Sequence, residues 1–352
     1  MIRFTEILLV VRIVVLSLTY NAARPLTSAV LMKSSTLPLF WMFARAVKMS
    51  GPLFVVGVVI LVSAVVGTVY VYIVPYHMER SYVLCTIYIV VGHWLLANIV
   101  FHYYKGVTTK PGAPPKMSDI NERPLRRHWK ICHKCMQLKA PRTHHCSICK
   151  RCVLKMDHHC PWINNCIGHL THRYFFLFCV YMTMGTGFVV WINWNVFSEL
   201  FFTRQQIPRS FSTLHPPPDD DPIQRKSVIA VTLLCAAAAC TVGSLTMWHA
   251  YLISLGETSI EFYINREEER RYQKKGFVYT NPYDHGIKKN WKLFLGLANG
   301  RDWRHILWPS SHRPIGNGLE WDTSSYVGAT SRGDQPLSNG LPYAHKPPST
   351  YI

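Results

Sequence analysis

Four long apolar runs limit this chain of 352 residues to folds that cross a lipid bilayer. The runs contain no Asp, Glu, Lys or Arg and cover residues 53–74, 82–101, 174–198 and 227–255. A bilayer-spanning helix needs about 20 consecutive apolar residues, and each run meets that requirement. The sequence therefore predicts an all-α integral membrane protein with four transmembrane helices.

Basic residues between the runs predict the orientation of these helices. The segment 102–173 carries 14 Lys and Arg against three Asp and Glu, and residues 256–305 carry ten Lys and Arg. Cytosolic loops carry an excess of Lys and Arg. We expect both termini and the segment 102–173 in the cytosol, and residues 199–226 in the lumen. The net charge of +19 then indicates contact with anionic lipid headgroups or a phosphorylated cofactor rather than with nucleic acid.

The two ends of the chain give weaker predictions. Residues 1–52 are expected to be cytosolic or interfacial, because the apolar stretch Ile7–Leu18 is interrupted by Arg12 and lacks a small-residue cleavage site. Leu37–Lys48 fits a helix in the membrane interface. After a cytosolic element over 256–306, the tail 307–352 is rich in Pro, Gly and Ser and is expected to be disordered. Its last residues, Thr350–Ile352, could offer a carboxylate to a groove-binding partner.

Residues 132–166 contain one metal-ligand pattern twice, offset by 14 positions. The pattern is C-x2-C-x9-H-x6-C, and its two copies are Cys132, Cys135, His145 and Cys152, then Cys146, Cys149, His159 and Cys166. Three thiolates and one imidazole are the ligands of a closed, tetrahedral structural zinc site. The paired C-x2-C spacing and a reducing cytosol favour two Zn²⁺ ions over disulfides. His144 and His158 are also 14 apart, so the spacing alone leaves open which histidines are ligands.

One cysteine of this segment, Cys160, is left without a metal to bind. It follows Asp157 and His158, and a cysteine beside a histidine and a carboxylate is a candidate nucleophile. The alternative is a purely structural cluster of two zinc sites. Thiolates attack thioesters, and Cys160 lies 14 residues before the third apolar run. An acyl-CoA substrate could place its chain in the bilayer and its phosphates on the basic surface.

Residues 129–176 contain Asp157-His158-His159-Cys160, Pro161-Trp162, Asn164-Asn165-Cys166, Gly168 and Arg173-Tyr174-Phe175. With these residues the segment resembles the DHHC protein S-acyltransferases (palmitoyltransferases). The resemblance implies transfer of a long-chain fatty acyl group from palmitoyl-CoA to cysteines of target proteins through an acylated Cys160. It also implies His145 and His159 as zinc ligands, His158 as the catalytic histidine and Asp157 as its orienting carboxylate.

Further positions also match the family pattern. Lys139, Arg142 and His144 match positions that face the coenzyme A phosphates. Thr258–Glu261 matches the family's Thr-Thr-x-Glu element, with the Ser259 hydroxyl expected to contact Asp157. Asn290 and Trp291 match an element whose Asn supports the spans by hydrogen bonds.

Two differences from the family pattern carry expectations of their own. Thr171 stands where the family usually has Asn, which affects local packing more than chemistry. Gly185 and Gly187 in the third run could deepen an acyl pocket and admit longer chains, although glycines in spans usually serve helix packing.

Two other functions fit the same residues less well. A silent membrane scaffold would not need Asp157, His158 and Cys160 together, and a ubiquitin ligase resembling RING proteins would pair its metal ligands differently. The expected substrates are cytosol-facing proteins with cysteines near the membrane. By resemblance we expect residence in the endoplasmic reticulum membrane, with the Golgi as the alternative.

Overall fold

The computed structural model describes residues 37–115, 129–202, 222–298, 300–323 and 343–344. The predictions for Ile7–Leu18, for the centre of the luminal loop and for Thr350–Ile352 lie outside these residues.

Four helical stretches are long and apolar enough to cross a membrane: Lys48–Arg80, Tyr82–Thr108, His172–Phe201 and Pro222–Ser254. We refer to them as spans 1 to 4. Span 1 comprises α1 (Leu37–Thr68) from Lys48 onward, one π-helical turn (Val69–Ile73) and α2 (Val74–Arg80). Spans 2, 3 and 4 correspond to α3 (Tyr82–Thr108), α4 (His172–Phe202) and α5 (Pro222–Ser254). Shorter helices follow span 4: α6 (Ser259–Gln273), α7 (Ile287–Leu295) and α8 (Arg304–Leu307). The prediction of four transmembrane helices is confirmed.

The helices are longer than the apolar runs that predicted them. The expected interfacial helix over Leu37–Lys48 is continuous with span 1, and α1 passes through Pro52. Span 2 continues to Thr108, seven residues beyond the end of its run at Phe101. Hydropathy detects only the lipid-facing part of a helix, whereas backbone hydrogen bonding carries the helix on through polar residues.

Three two-stranded antiparallel sheets lie between spans 2 and 3. They pair β1 (Lys130–Ile131) with β2 (Leu138–Lys139), β3 (His144–Cys146) with β4 (Arg151–Val153), and β5 (His158–Cys160) with β6 (Asn165–Ile167). A 3₁₀ turn at Pro161–Ile163 joins β5 to β6. Further along the chain, β7 (Val278–Tyr279) pairs in parallel with β8 (Tyr343–Ala344). These short hairpins form the cysteine-rich region within an otherwise helical fold.

Two buried clusters connect the spans to the parts that follow them. One contains Leu95 of span 2, Phe176 of span 3, Ile253 of span 4 and Phe294 of α7. The other surrounds Cys160 and is described with the site. The first cluster fixes α7 against the ends of three spans.

Residues 308–323 differ from the prediction of a disordered tail that begins at Leu307. The buried guanidinium of Arg173 donates hydrogen bonds to the carbonyl oxygens of Ser310 and His312, at 3.0 and 2.8 Å. Trp321 packs edge-on to His169, with ring centroids 5.3 Å apart. The tail is held here because it supplies acceptors to a buried cation, which its composition does not reveal.

Candidate active site and two metal-ligand clusters

The β-hairpins place one histidine of each adjacent pair in a cysteine cluster. His145 lies opposite Cys152 across β3 and β4, and His159 lies opposite Cys166 across β5 and β6. Successive side chains of a strand point to opposite faces. The preceding histidine in each strand therefore faces away from the cysteine cluster that its neighbour joins. Strand pairing therefore favours His145 and His159 over His144 and His158 as members of the two clusters, a choice that the spacing alone left open.

Each cluster brings three sulfur atoms and one histidine Nδ1 together. In the first, Cys132 Sγ lies 3.6 Å from His145 Nδ1, and Cys135 Sγ lies 3.5 Å from Cys152 Sγ. In the second, His159 Nδ1 lies 3.3 Å from Cys149 Sγ, 3.5 Å from Cys166 Sγ and 3.8 Å from Cys146 Sγ. Tetrahedral zinc binds sulfur at about 2.3 Å and nitrogen at about 2.0–2.1 Å. The donor set and its spacing fit a zinc ion in each cluster.

The Asp157 carboxylate is fully enclosed by hydrogen-bond donors. Oδ2 lies 2.6 Å from His158 Nδ1 and accepts the Ser259 hydroxyl at 2.9 Å, while Oδ1 accepts the Ser259 backbone N–H at 2.7 Å. Burial alone would raise the pKa of this carboxyl. The hydrogen bond with His158 and nearby histidines outweigh burial and hold the pKa of Asp157 well below its usual range. Asp157 is therefore a buried carboxylate, fixed from both sides.

His158 links this carboxylate to Cys160. Burial opposes protonation of the imidazole, but hydrogen bonds with Asp157 and with Cys160 raise the pKa of His158 to about 10. The ring also packs edge-on to Phe175, with centroids 5.2 Å apart. An imidazolium in this position would stabilise a thiolate on Cys160. Asp157, His158 and Cys160 thus have the arrangement of an activated nucleophile with an oriented base.

Cys160 lies at one end of an apolar cavity among the four spans. The cavity has a volume of about 900 Å³, and its lining includes Val62 of span 1, Gly92 of span 2, Gly185 of span 3 and Ala238 of span 4. Gly187 is absent from this lining. The Cys160 side chain is buried against Phe175 and Cys179 of span 3. A long apolar chain attached to Cys160 would extend from the thiol into this cavity.

Arg142 is part of a buried ion pair that joins the cysteine-rich region to α6. Its Nε and Nη2 atoms donate to the two carboxylate oxygens of Glu261, both at 2.6 Å, and Nη2 also donates to the Gly256 carbonyl at 2.8 Å. Glu261 also caps α6: its carboxylate accepts the backbone N–H of Thr258, and its own N–H donates to the Thr258 hydroxyl. Burial opposes ionisation of Glu261, but Arg142 lowers the pKa of that carboxyl.

Lys139 and His144, the other predicted phosphate contacts, lie on β2 and β3 of the same region. Burial lowers the pKa of His144 to about 4, and the positive charge of Lys139 acts in the same direction. His144 is therefore neutral near pH 7. Of the three predicted contacts, Arg142 is already committed to Glu261, and binding of a CoA phosphate by any of them stays a prediction.

Two histidines at the site are not among the residues predicted from the sequence. His172 begins span 3 and His249 lies near the end of span 4; both are buried, and His172 Nε2 is 3.3 Å from His249 Nδ1. One ligand atom from each, with one from Asp157, lies within 4.8 Å of the others. In the sequence, both histidines lie near the expected cytosolic ends of apolar runs. That position is the signal that could have identified them as site residues.

Asn290 and Thr171, two positions considered from the family pattern, both make hydrogen bonds that stabilise the spans or the turns beside them. Asn290 Nδ2 donates to the Ser254 carbonyl at the end of span 4, at 2.9 Å, so it supports the spans as expected. The Thr171 hydroxyl donates to the Cys166 carbonyl and accepts the Gly168 N–H, both at 2.9 Å. Thr171 thus stabilises the turn into span 3.

Comparison with known proteins agrees with this geometry. A family model described as DHHC palmitoyltransferase matches residues 126–266. The mouse palmitoyltransferase ZDHHC16 is 44% identical over 324 residues, which cover 90% of this chain and 85% of that protein. The human palmitoyltransferase ZDHHC16 is 41% identical over 333 residues, covering 90% of this chain and 86% of that protein. A probable protein S-acyltransferase 16 of Arabidopsis thaliana is 34% identical over 236 residues, 64% of this chain and 76% of that protein.

The chain belongs to the DHHC palmitoyltransferase family. It is a multi-pass membrane enzyme, a protein S-palmitoyltransferase. Within the family it is similar to ZDHHC16, the member also called Abl-philin 2. The predicted family, fold class and activity are therefore confirmed.

Proposed function

We propose that Cys160 carries the acyl group between the two half-reactions of this palmitoyltransferase, with His158 as its acid and base and Asp157 as the residue that orients His158. The observation that carries this proposal is the position of Cys160. It lies beside His158 and Asp157 and at the end of an apolar cavity of about 900 Å³ that is lined by all four spans.

In the first half-reaction, His158 takes the proton of the Cys160 thiol. The thiolate attacks the carbonyl carbon of palmitoyl-CoA, a new carbon–sulfur bond forms, and the bond to the coenzyme A sulfur breaks. The coenzyme A thiolate leaves with the proton that His158 held. The acyl chain then occupies the cavity. The high pKa of His158 supports this proposal, because a strongly basic imidazole favours the ion pair with the thiolate.

In the second half-reaction, the thiol of a target cysteine gives its proton to His158. Its sulfur attacks the thioester carbon on Cys160, and the bond between Cys160 and the acyl group breaks. The Cys160 thiolate is restored beside protonated His158. The target cysteine must approach from the cytosolic end of the spans, so we infer that substrates carry cysteines close to the membrane.

The coenzyme A moiety would meet the basic face of the cysteine-rich region. We propose that Lys139 supplies positive charge to its phosphates and that neutral His144 donates a hydrogen bond. For Arg142 we propose the same contact in addition to its ion pair, in which Nε and Nη2 bind Glu261.

The two Cys₃His clusters would hold structural zinc. With four protein ligands each, such sites leave no open coordination position and supply folding energy rather than chemistry. His159 directly precedes Cys160 in β5. Zinc bound by His159 would therefore fix the backbone that carries the nucleophile. We also propose residence in the endoplasmic reticulum membrane with cytosolic termini.

Mass spectrometry of the purified protein after incubation with palmitoyl-CoA tests the first half-reaction. We expect one hydroxylamine-labile palmitoyl group on Cys160 in the wild type and none in Cys160→Ser. Cys179→Ser is the matched control, because Cys179 is a buried thiol in the same cavity; it should keep the adduct. An adduct that persists in Cys160→Ser, or its absence from folded wild type, would refute the proposal and favour a scaffold function.

A further inference from the structure

The segment 301–312 packs against spans 2 and 3. Its short helix α8 places Ile306 against the buried cluster of Leu95 and Tyr181. Trp94 of span 2 and Tyr181 of span 3 both reach this segment with their side chains. The segment is therefore in direct contact with both spans.

The contacts place this segment at the depth of the bilayer. Trp94 lies 11 residues before Lys105, the first basic residue after the apolar part of span 2, which is about 16 Å along a helix. Tyr181 lies eight residues after Arg173, about 12 Å by the same rise. It is also two residues further into span 3 than Cys179, which packs beside Cys160. Residues 306 and 307 therefore lie beside the apolar stretches of spans 2 and 3.

Side chains of the spans satisfy the backbone of this segment. The Trp94 indole N–H donates to the Leu307 carbonyl at 3.0 Å, and Asn98 Nδ2 donates to the same oxygen at 3.3 Å. The Tyr181 hydroxyl donates to the Ile306 carbonyl at 2.8 Å. Irregular backbone is tolerated at membrane depth only where protein groups replace the water that would otherwise bind it. Three such donors converge on two adjacent carbonyls.

The most exposed large side chains of the segment are two tryptophans and one arginine. Trp303 is 62% exposed and Trp308 is 63% exposed. Asp302 and Arg304 form an ion pair at 2.6 Å, and the long Arg304 side chain can reach the headgroups. Tryptophan is enriched where protein meets the membrane interface. Two exposed indoles that flank a segment at this depth would face lipid rather than water.

We propose that residues 303–309 form a re-entrant loop that enters the cytosolic leaflet between spans 2 and 3 and binds lipid through Trp303 and Trp308. The occupant of this surface is the acyl chain and glycerol region of phospholipid. The loop lies on a different face of spans 2 and 3 from the acyl cavity, since neither Trp94 nor Tyr181, which bind the loop, is among the residues that line the cavity.

Site-specific photo-crosslinking in nanodiscs tests the proposal. Benzoylphenylalanine is placed at Trp308 or Trp303 of the full chain, and phospholipid adducts are counted by mass spectrometry. Trp191, a 64% exposed residue of span 3, is the lipid-facing control. Gln273, exposed at the end of α6, is the water-facing control. Autoacylation by palmitoyl-CoA verifies that each variant is folded.

We expect lipid adducts at Trp308 and Trp303 in the range of those at Trp191 and at least tenfold above those at Gln273. Adducts no more frequent than at Gln273 would overturn the proposal. Hydrogen exchange on the unsubstituted chain gives an independent result. Amides of residues 304–308 should exchange slowly in nanodiscs and at least tenfold faster in Trp94→Phe/Tyr181→Phe. Exchange in the wild type as fast as in an unstructured peptide would also overturn it.

Discussion

Ser259 binds both oxygens of the Asp157 carboxylate across 102 residues of sequence, with its backbone N–H at 2.7 Å and its hydroxyl at 2.9 Å. Ser259 is the first residue of α6. The carboxylate therefore also lies at the positive end of a helix dipole. Through this contact the segment after span 4 holds Asp157 ionised and directed at His158.

Removing the Ser259 hydroxyl should slow acylation without preventing it. Ser259→Ala keeps the backbone N–H on Asp157 and loses one hydrogen bond to a charged group, worth roughly 1.5–3 kcal/mol. We expect the single-turnover rate of autoacylation to fall by about 10- to 100-fold on that basis. Ser259→Thr, which restores the hydroxyl, should retain most of the rate. A wild-type rate in Ser259→Ala would mean that the hydroxyl does not help to orient Asp157.

The Arg142–Glu261 pair should matter for stability more than for substrate binding. Side-chain exposure is 5% for Arg142 and 9% for Glu261. Removing one member of a buried pair typically costs about 3–5 kcal/mol because the other charge is left without its partner. We therefore expect Arg142→Met to lower the melting temperature in detergent strongly.

The double variant Arg142→Met/Glu261→Gln separates the two roles considered for Arg142. If the ion pair dominates, the double variant should be more stable than Arg142→Met alone, since no unpaired charge remains. If a CoA phosphate is the main partner, Arg142→Met should instead raise the KM for palmitoyl-CoA and leave the melting temperature unchanged.

Zinc content should distinguish the histidines of each adjacent pair. We expect two zinc ions per wild-type chain, and fewer in His145→Ala or His159→Ala, because each loses one of four ligands. His144→Ala and His158→Ala are the matched controls and should keep both ions, since those side chains lie on the opposite strand face. Elemental analysis of the purified variants measures this, and loss of metal from a control variant would contradict the assignment.

Gly185 should determine how much of the cavity is open to the acyl chain. A Cβ at this position would lie 2.8 Å from Ile99 Cδ1, whereas a Cβ at Gly187 would have nothing within 4 Å. We expect Gly185→Leu to favour shorter acyl-CoA chains in autoacylation, because it narrows the cavity. Gly187→Leu should leave the preference unchanged. A comparison of C14, C16 and C20 acyl-CoA tests this, and unaltered preference in Gly185→Leu would exclude a role for that glycine.

The sequence predicted the parts of the fold that depend on local pattern. Hydropathy located the spans because lipid-facing residues must be apolar along a whole helix. Ligand spacing located both metal-ligand clusters because each combines the C-x2-C turn of one hairpin with the His–Cys pair of the next, whose register fixes which residues meet. The tie between His144 and His145 was broken by the family resemblance, and strand pairing gives the physical reason for that choice.

Contacts between distant segments could not be predicted in the same way. The pairing of Arg142 with Glu261, and of His172 with His249, depends on where span 4 and α6 lie relative to the cysteine-rich region. Nothing periodic marks those residues. Trp321 lies in a segment whose composition indicates disorder, yet it packs on Arg142 at 4.8 Å. Such contacts require the tertiary arrangement.

Span 1 has a consequence for how the product leaves. Its most apolar stretch contains no buried residue, and its described contacts with the catalytic region include the packing of Phe54 on Trp162, with ring centroids 4.9 Å apart, and the close approach of Gly51 to Asn164. The other end of span 1 is held as well, because Ile73 is buried against Ile192, Val196 and Val228. Span 1 is therefore an apolar wall fixed at both ends and loosely packed between them, and its middle can part from the neighbouring spans toward the lipid. Once the fatty chain has moved to its new protein, it would leave sideways into the surrounding lipid and never pass through water.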